Sequence, residues 1–389
     1  MAAETCDLAV VGGRVIDPGR GVDEPATVAV RDGVVASVGP DAGPARTIDA
    51  AGLVVVPGLI DLHTHVYWGV SHYGVDADRY CLERGVTTAV DAGSAGAQTF
   101  PGFRRYVVER ARTRVLAFLH VAVEGMISPL VGELEDLRWA SPADAVARAR
   151  EHLDVVVGIK VRLGYQMVGT DAEPALRLAR EAAHRLGLPL MVHVIDMPMP
   201  ITRLLPYLEQ GDIVTHCFHG NEGGTILDER GRVFEACFVA RERGVVFDVG
   251  HGVGSFAFRV ARAALAQGFP PTTISSDIHT YNVDGPVFDQ PTTLSKLLYL
   301  GMPLAEVVGA STSAAAAAIR RQELGSLKAG VPADVTLLEL VPGVSALDDA
   351  AGERVFAEEL LVPRGVITAG EPIELATPAP DAGAQSLSE

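Results

Sequence analysis

Val54-Val-Val-Pro-Gly-Leu-Ile-Asp-Leu-His-Thr-His-Val-Tyr-Trp68 is the stretch around which the chain reads. An apolar run, Val54 to Val56, breaks at Pro57-Gly58, and a second, Leu59 to Leu62, ends in His63-Thr64-His65. Side chains of a β-strand alternate between faces, so residues two apart point the same way. His63 and His65 therefore project together from the end of one buried strand. Neutral imidazole is the commonest nitrogen ligand, and two side by side form half of a metal site. At this point a strand ending in two solvated histidines reads equally well.

From Pro57 onward strands and helices alternate. Apolar runs fall at 59–66, 86–92, 114–123, 155–163, 188–195, 212–218, 244–249 and 272–278. Amphipathic stretches such as Ala143–His152, Glu173–Leu186, Val233–Arg243 and Ser255–Gln267 lie between them. Eight such runs predict an α/β fold with a parallel sheet covered by helices, and eight strands close a (β/α)₈ TIM barrel. An open doubly wound sheet is the alternative. No Gly-x-Gly-x-x-Gly follows the first strand, so a dinucleotide site is not supported.

The flanks read as β-structure. Residues 7 to 50 carry short β-branched runs, with Asp32-Gly33 as a two-residue hairpin signal. Past Ala315, Leu324 to Leu338 reads as turns and then a buried strand, predicted to rejoin the N-terminal β module. The expected organisation is a small β-sandwich domain built from 1–56 and 316–375, the (β/α)₈ barrel over 57–315, and a disordered tail over 376–389 rich in Pro, Ala, Gly and Ser.

The 389 residues are 48% hydrophobic, enough for one barrel-sized domain and a small second one. A formal charge of −17, from 49 acids against 32 bases, argues against nucleic-acid binding, which needs clustered Lys and Arg. Cys6, Cys81, Cys217 and Cys237 lack paired spacing and read as reduced thiols. The acidic start lacks the features of a signal peptide, and no run approaches the roughly 18 apolar residues of a membrane span, so a soluble cytoplasmic protein is expected.

Polar residues close five of the apolar runs: His63 and His65, then Lys160, His193, His216 and Asp277. In a barrel those C-terminal ends form one face, where active sites are built. A single strand-end His is commonly hydrogen-bonded in a core, and Asp277 alone could cap a helix. A buried unpaired lysine is costly, however, and the set as a whole points to a metal site.

Pro57-Gly58-Leu-Ile-Asp-Leu-His63-Thr-His65, Lys160, His193, His216, Asp277 and the flanking Gly330-Val-Pro-Ala-Asp334 resemble the amidohydrolase superfamily. In its binuclear members a lysine carbamylated by carbon dioxide bridges two divalent metals, commonly zinc. The resemblance implies that His63, His65 and Asp277 hold one metal and His193 and His216 the other, with the Lys160 carbamate and a hydroxide between them. It further implies attack of that hydroxide on an acyl carbon, with Asp277 as proton shuttle. All six ligand positions are present, which argues against a metal-free assembly protein of similar fold.

Dihydroorotases place an Arg soon after the His-x-His pair; Val66-Tyr67-Trp68-Gly69 stands here instead. That stretch, Asp91-Ala-Gly-Ser-Ala-Gly96, Gly158-Ile-Lys-Val-Arg162 and Ile278-His-Thr-Tyr-Asn282 are more similar to the amidohydrolase/deacetylase group. Related members deacetylate acetyl-(R)-mandelate or N-acetyl amino acids. The expected substrate is a small acylated acid, with no nucleic acid or membrane partner and a homo-oligomer left open; a cyclic amidase of dihydroorotase, hydantoinase or dihydropyrimidinase type is the alternative. Arg162, two residues beyond Lys160, is expected to anchor a substrate carboxylate unless it pairs with a barrel-mouth acid. Tyr67 and Trp68 are candidates to wall the pocket. His219, His251, His279 and Asn282 are further substrate-binding candidates, and Cys217 is expected in the core.

Overall fold

The computed structural model describes residues 6–40 and 45–375. The expected tail over 376–389 and the first five residues lie outside the described residues. Strands β1 (Leu8–Val11), β2 (Arg14–Asp17), β3 (Val22–Pro25), β4 (Thr27–Arg31), β5 (Val34–Gly39), β6 (Arg46–Asp49) and β7 (Val54–Pro57) come first. Asp32 and Gly33 join β4 to β5 with φ of 50° and 75°, the left-handed pair of a type I′ hairpin.

Strands β8 (Leu59–Thr64), β9 (Val86–Gly96), β10 (Arg114–His120), β11 (Val156–Arg162), β12 (Leu190–His193), β13 (Ile213–Thr215) and β14 (Val246–Asp248) form one seven-stranded sheet in chain order. Every pairing between neighbours is parallel. Helices such as Pro142–Glu151, Glu173–Leu186 and Phe258–Ala266 lie between the strands. Their apolar faces pack with one face of the sheet in the main core. On the other face Ile60, Leu62, Val90, Leu116, Phe118, Met191, Ile213 and Val246 meet one another and the plug Ala315, Ala316, Ala318 and Ile319. Apolar residues from both edge strands meeting in one cluster show that the sheet curls on itself.

The eighth apolar run differs from expectation, for residues 272–278 carry no full strand. Instead they bridge both edges of the sheet in parallel fashion, Thr273 to Asp248 and Ile278 to Thr64. Asp277 N–H donates to His63 O at 2.7 Å and His65 N–H to Ile278 O at 3.0 Å. Extended pairing fails here because Asp277 takes a left-handed φ of 51° and Ser276 donates its hydroxyl sideways to Asp61.

Strands β15 (Val335–Asp348), β16 (Arg354–Thr368) and β17 (Glu371–Ile373) complete the chain. β15 pairs antiparallel with β7, so both ends of the chain share the six-stranded sheet β17-β16-β15-β7-β2-β3. Together with the four-stranded sheet β5-β4-β1-β6 it encloses a separate core of Leu8, Val28, Val55, Val335 and Ile367. Gly58 is the hinge between this β-structure and the parallel sheet. A Cβ there would lie 2.2 Å from Thr87 Oγ1, so only glycine allows the approach. Among the described residues, no helix is long and apolar enough to cross a membrane.

Candidate metal centre and active-site pocket

A cavity of about 230 Å³ opens at the C-terminal ends of the parallel strands. It brings together His63, His65, Lys160, His193, His216 and Asp277, with Arg162 and His279 in the same wall. Tyr73, Asn221, Ser255 and the segment Gly164–Met167 also line it.

Local irregularities aim these side chains. Asp61 faces Ala89 but Thr64 faces Asp91, so β8 carries one extra residue against β9. This bulge lets His63 join Leu62 on the enclosed side, where alternation alone would have separated them. His216 and Asp277 both have positive φ, 69° and 51°, which turns each inward just past the regular pairing. Gly93 lies against Lys160; a Cβ there would sit 2.7 Å from that of the lysine.

The imidazoles are held from behind. His63 Nδ1 lies 2.8 Å from Thr215 Oγ1, His65 Nδ1 2.9 Å from Ser94 Oγ, and His216 Nδ1 2.7 Å from the Gly250 carbonyl oxygen. Each Nε2 is thereby left for the cavity. Asp277 Oδ1 lies 3.4 Å from His63 Nε2 and 3.1 Å from His65 Nε2, yet it is buried with no hydrogen-bond partner among the described residues. His63, His216 and Asp277 each offer an atom within 4.8 Å of the others. Two ligand atoms about 2.05 Å from a tetrahedral ion stand about 3.3 Å apart, so these spacings fit a shared cation.

Electrostatics agree. Burial first, then the nearby Lys160 charge, pushes His63 and His216 well below the usual histidine range. His193 falls likewise through burial and its neighbour His216. Each shift favours the neutral ring, the form that binds metal. Burial lowers the fully buried Lys160 to about 7 although Asp277 opposes it. Burial raises Asp277 to about 6 against the pull of His279, Lys160 and Arg162.

Among the substrate-binding candidates, Arg162 and His279 line the cavity. Arg162 pairs with Glu133, Nε to Oε1 at 2.6 Å and Nη2 to Oε2 at 2.8 Å, while Nη1 lies 3.3 Å from Tyr73 Oη. The other candidates do not reach the cavity. Tyr67 is buried against Phe103 and donates its hydroxyl to Thr99 O, because the chain after His65 turns into the outer core. Trp68 is 68% exposed in the following turn. His251 stacks on Phe256 and meets Lys296 Nζ through Nε2 at 2.8 Å. His219 is buried, its Nδ1 accepting the Asn221 N–H. Asn282 shapes the loop after Asp277, donating to Asp277 O and accepting the His279 N–H. Cys217 is in the core as expected.

Glu133, Tyr73, Thr215, Ser94 and Asp248 escaped sequence reasoning. Asp248 bears the mark that Asp277 bears, an acid closing an apolar run, and could have been found by it. Glu133 sits in a loop whose acids show no spacing that distinguishes it.

No protein-family model matches the chain. A deacetylase of Agrobacterium fabrum is 37% identical over 349 residues, covering 88% of this chain and 85% of that protein. The chain belongs to the amidohydrolase superfamily. A crystal structure of a dihydroorotase superposes with a TM-score of 0.87 at 35% identity, covering 94% of this chain and 98% of the other. One of an adenine deaminase superposes at 0.88 and 31%, covering 95% and 99%. The protein is thus a hydrolase with the mixed α/β fold and curled parallel sheet of this superfamily, whose relatives imply use of divalent metal.

Proposed function

We propose that this amidohydrolase is a metal-dependent deacetylase that cleaves the acyl group of N-acyl amino acids or O-acyl 2-hydroxy acids such as acetyl-(R)-mandelate. The deacetylase relative at 37% identity supports the reaction class. The observation that carries the reading is Asp277 Oδ1, buried without a hydrogen-bond partner among the described residues and facing two imidazole nitrogens at 3.1 and 3.4 Å. A carboxylate oxygen set beside imidazole nitrogens at these spacings is an arrangement that a shared divalent cation would satisfy.

In this reading 57–315 is a closed (β/α)₈ barrel, residues 273–278 forming its eighth stave, and 1–56 with 316–375 form a β-sandwich. The bridges from Thr273 and Ile278 to opposite edges support closure, and the shared core of the two flanking sheets supports the sandwich. His63, His65 and Asp277 would hold one ion and His193 and His216 a second, zinc being suited to imidazole and carboxylate. Lys160, held near neutrality by burial, is partly unprotonated at pH 7. Its neutral amine could add to carbon dioxide, forming an N–C bond as one C=O π bond opens and a proton leaves to solvent, which would replace a costly buried cation with an anionic oxygen ligand. Divalent metals, when bound, supply Lewis-acid polarisation and make water acidic enough to serve as nucleophile near neutral pH.

The chain's own residues do the rest. Asp277 accepts a proton from the attacking water and returns it to the departing nitrogen or oxygen. Its raised affinity for protons, to about 6, suits both halves of that task. The Nη1 group of Arg162, 3.3 Å from Tyr73 Oη, would meet one oxygen of the substrate carboxylate in this reading. His279, which also lines the cavity, can donate to the leaving group.

The test is metal analysis together with a hydrolysis screen of N-acetyl and O-acetyl acids beside cyclic ureides and imides. Turnover of acetylated acids by protein holding two divalent ions per chain is the expected result. Turnover of cyclic substrates alone would favour the cyclic-amidase alternative, to which the dihydroorotase structure gives support.

A further inference from the structure

Behind His63 stands a hydroxyl and, behind that, a buried acid. His63 Nδ1 lies 2.8 Å from Thr215 Oγ1, and Thr215 Oγ1 lies 2.8 Å from Asp248 Oδ2. His63 and Asp248 themselves are 3.9 Å apart, too far for a direct bond. All three side chains are buried, with exposures of 1% or less.

The direction of the chain of bonds follows from counting protons. Asp248 also accepts the hydroxyls of Thr273 at 2.7 Å and Ser275 at 2.7 Å. Ser275 Oγ in turn accepts the Gly250 N–H at 3.0 Å. An acid surrounded by hydroxyl donors acts as acceptor, so the single Thr215 proton points to Asp248. Thr215 Oγ1 then has only lone pairs to offer His63, and His63 must donate from Nδ1. A neutral ring with its proton on Nδ1 has a lone pair on Nε2. That Nε2 is the atom that looks across the cavity at Asp277 Oδ1 and Lys160 Nζ, at 3.4 and 3.3 Å.

We propose that Thr215 and Asp248 are positioning residues that lock His63 in its Nδ1–H tautomer and so commit Nε2 to metal binding. A ligating histidine usually donates its other ring N–H directly to a carboxylate or carbonyl. Here a threonine hydroxyl is interposed and transmits the preference of Asp248 over 3.9 Å. His216 is locked in the same sense by the Gly250 carbonyl, which can only accept. The sheet makes the relay: Thr215 ends β13 and Asp248 ends β14, in register with each other, and both point to the enclosed side. The proposal rests on the reading of His63 as a ligand.

Thr215→Val, Thr215→Ser, Asp248→Asn and His63→Ala would be compared by chelator competition for zinc, with metal content measured after dialysis. Valine keeps the shape of threonine without the hydroxyl, and serine keeps the hydroxyl. Loss of a partner behind a ligand costs about 10–100-fold in metal affinity, so Thr215→Val should lose that much and Thr215→Ser less than about threefold. Asp248→Asn should also weaken binding, because an amide donor can turn the hydroxyl toward His63 and force the proton onto Nε2. In unsubstituted metal-free protein, nitrogen-15 NMR of the histidines should show His63 protonated on Nδ1, a readout independent of how well the variants fold. An Nε2–H tautomer there, or Thr215→Val binding zinc like the parent while His63→Ala does not, would overturn the relay and leave the metal site standing. If His63→Ala itself kept both ions, the ligand reading would fail instead.

Discussion

Glu133 and Arg162 close on each other edge to edge, two nitrogens on two oxygens at 2.6 and 2.8 Å, inside the wall of the cavity. Burial works against both charges, yet the pairing holds Arg162 above and Glu133 well below their usual ranges. The bidentate face of the guanidinium is therefore taken, and the Nη1 side beside Tyr73 is what remains for the substrate carboxylate proposed above.

One charge-assisted hydrogen bond is worth about 1.5–3 kcal/mol, or roughly ten- to a hundredfold in kcat/KM. Arg162→Met alone would strand the Glu133 carboxylate, and breaking a buried pair from one side costs about 3–5 kcal/mol. The informative protein is the double variant Arg162→Met with Glu133→Gln. It should lose roughly that ten- to a hundredfold on acetylated acids and much less on a neutral aryl acetate. Equal losses on both substrates would assign the pair to holding the 124–140 loop, with the carboxylate seat elsewhere.

Lys160 should carry one added carbon dioxide in the metal-loaded protein, seen as electron density or by infrared labelling with carbon-13 dioxide. Lys160→Ala should abolish turnover and the second metal, with partial rescue by short carboxylic acids that replace the bridge. An unmodified lysine in a crystal containing both metals would refute the carbamate.

Asp277→Asn retains an oxygen for metal but cannot carry a proton. Turnover should fall by about 10²–10⁴-fold, the range of general acid–base catalysis, while most metal remains. A loss smaller than about tenfold would move the proton transfer to another group.

Lys296 provides a pH signature away from the ligand set. It is fully buried, bonded to His251 Nε2 and to Pro286 O, and burial lowers it from 10.5 to about 7 despite Asp348 and Asp349. Between about 7 and 10.5 the unfolded chain binds the proton and the folded one does not. Stability rises with pH wherever the unfolded state binds more protons. The melting temperature of the parent relative to Lys296→Met should therefore climb from about pH 7 toward pH 10 and level off below about 7, where folded and unfolded chains both carry the proton. A flat difference across that span would mean that Lys296 stays charged in the fold.

Much of this molecule was legible in the chain itself. Apolar runs in repeated alternation with amphipathic helices specify a parallel sheet with covered faces, because burying such strands leaves few other arrangements. The polar residues that end those runs, His63 to Asp277, converge because parallel strands bring all their C-terminal ends to one side. The Asp32-Gly33 hairpin and the return of β15 to β7 were equally readable, from turn chemistry and strand pattern.

What only the folded structure decided were matters of single residues and of distance. Whether His63 faces inward depends on one extra residue in β8, and a register shift is a property of two strands, invisible in either alone. Tyr67 and Trp68 follow the ligand pair in sequence but turn away, whereas Tyr73, further along, returns to stack on His65. Glu133 reaches Arg162 across 29 residues, and Asp248 reaches His63 through Thr215 across far more. Sequence patterns carry the periodicity of elements. The pairing of a buried charge is set by which loop happens to pass within about 3 Å of it, and that is fixed only when the whole chain is packed.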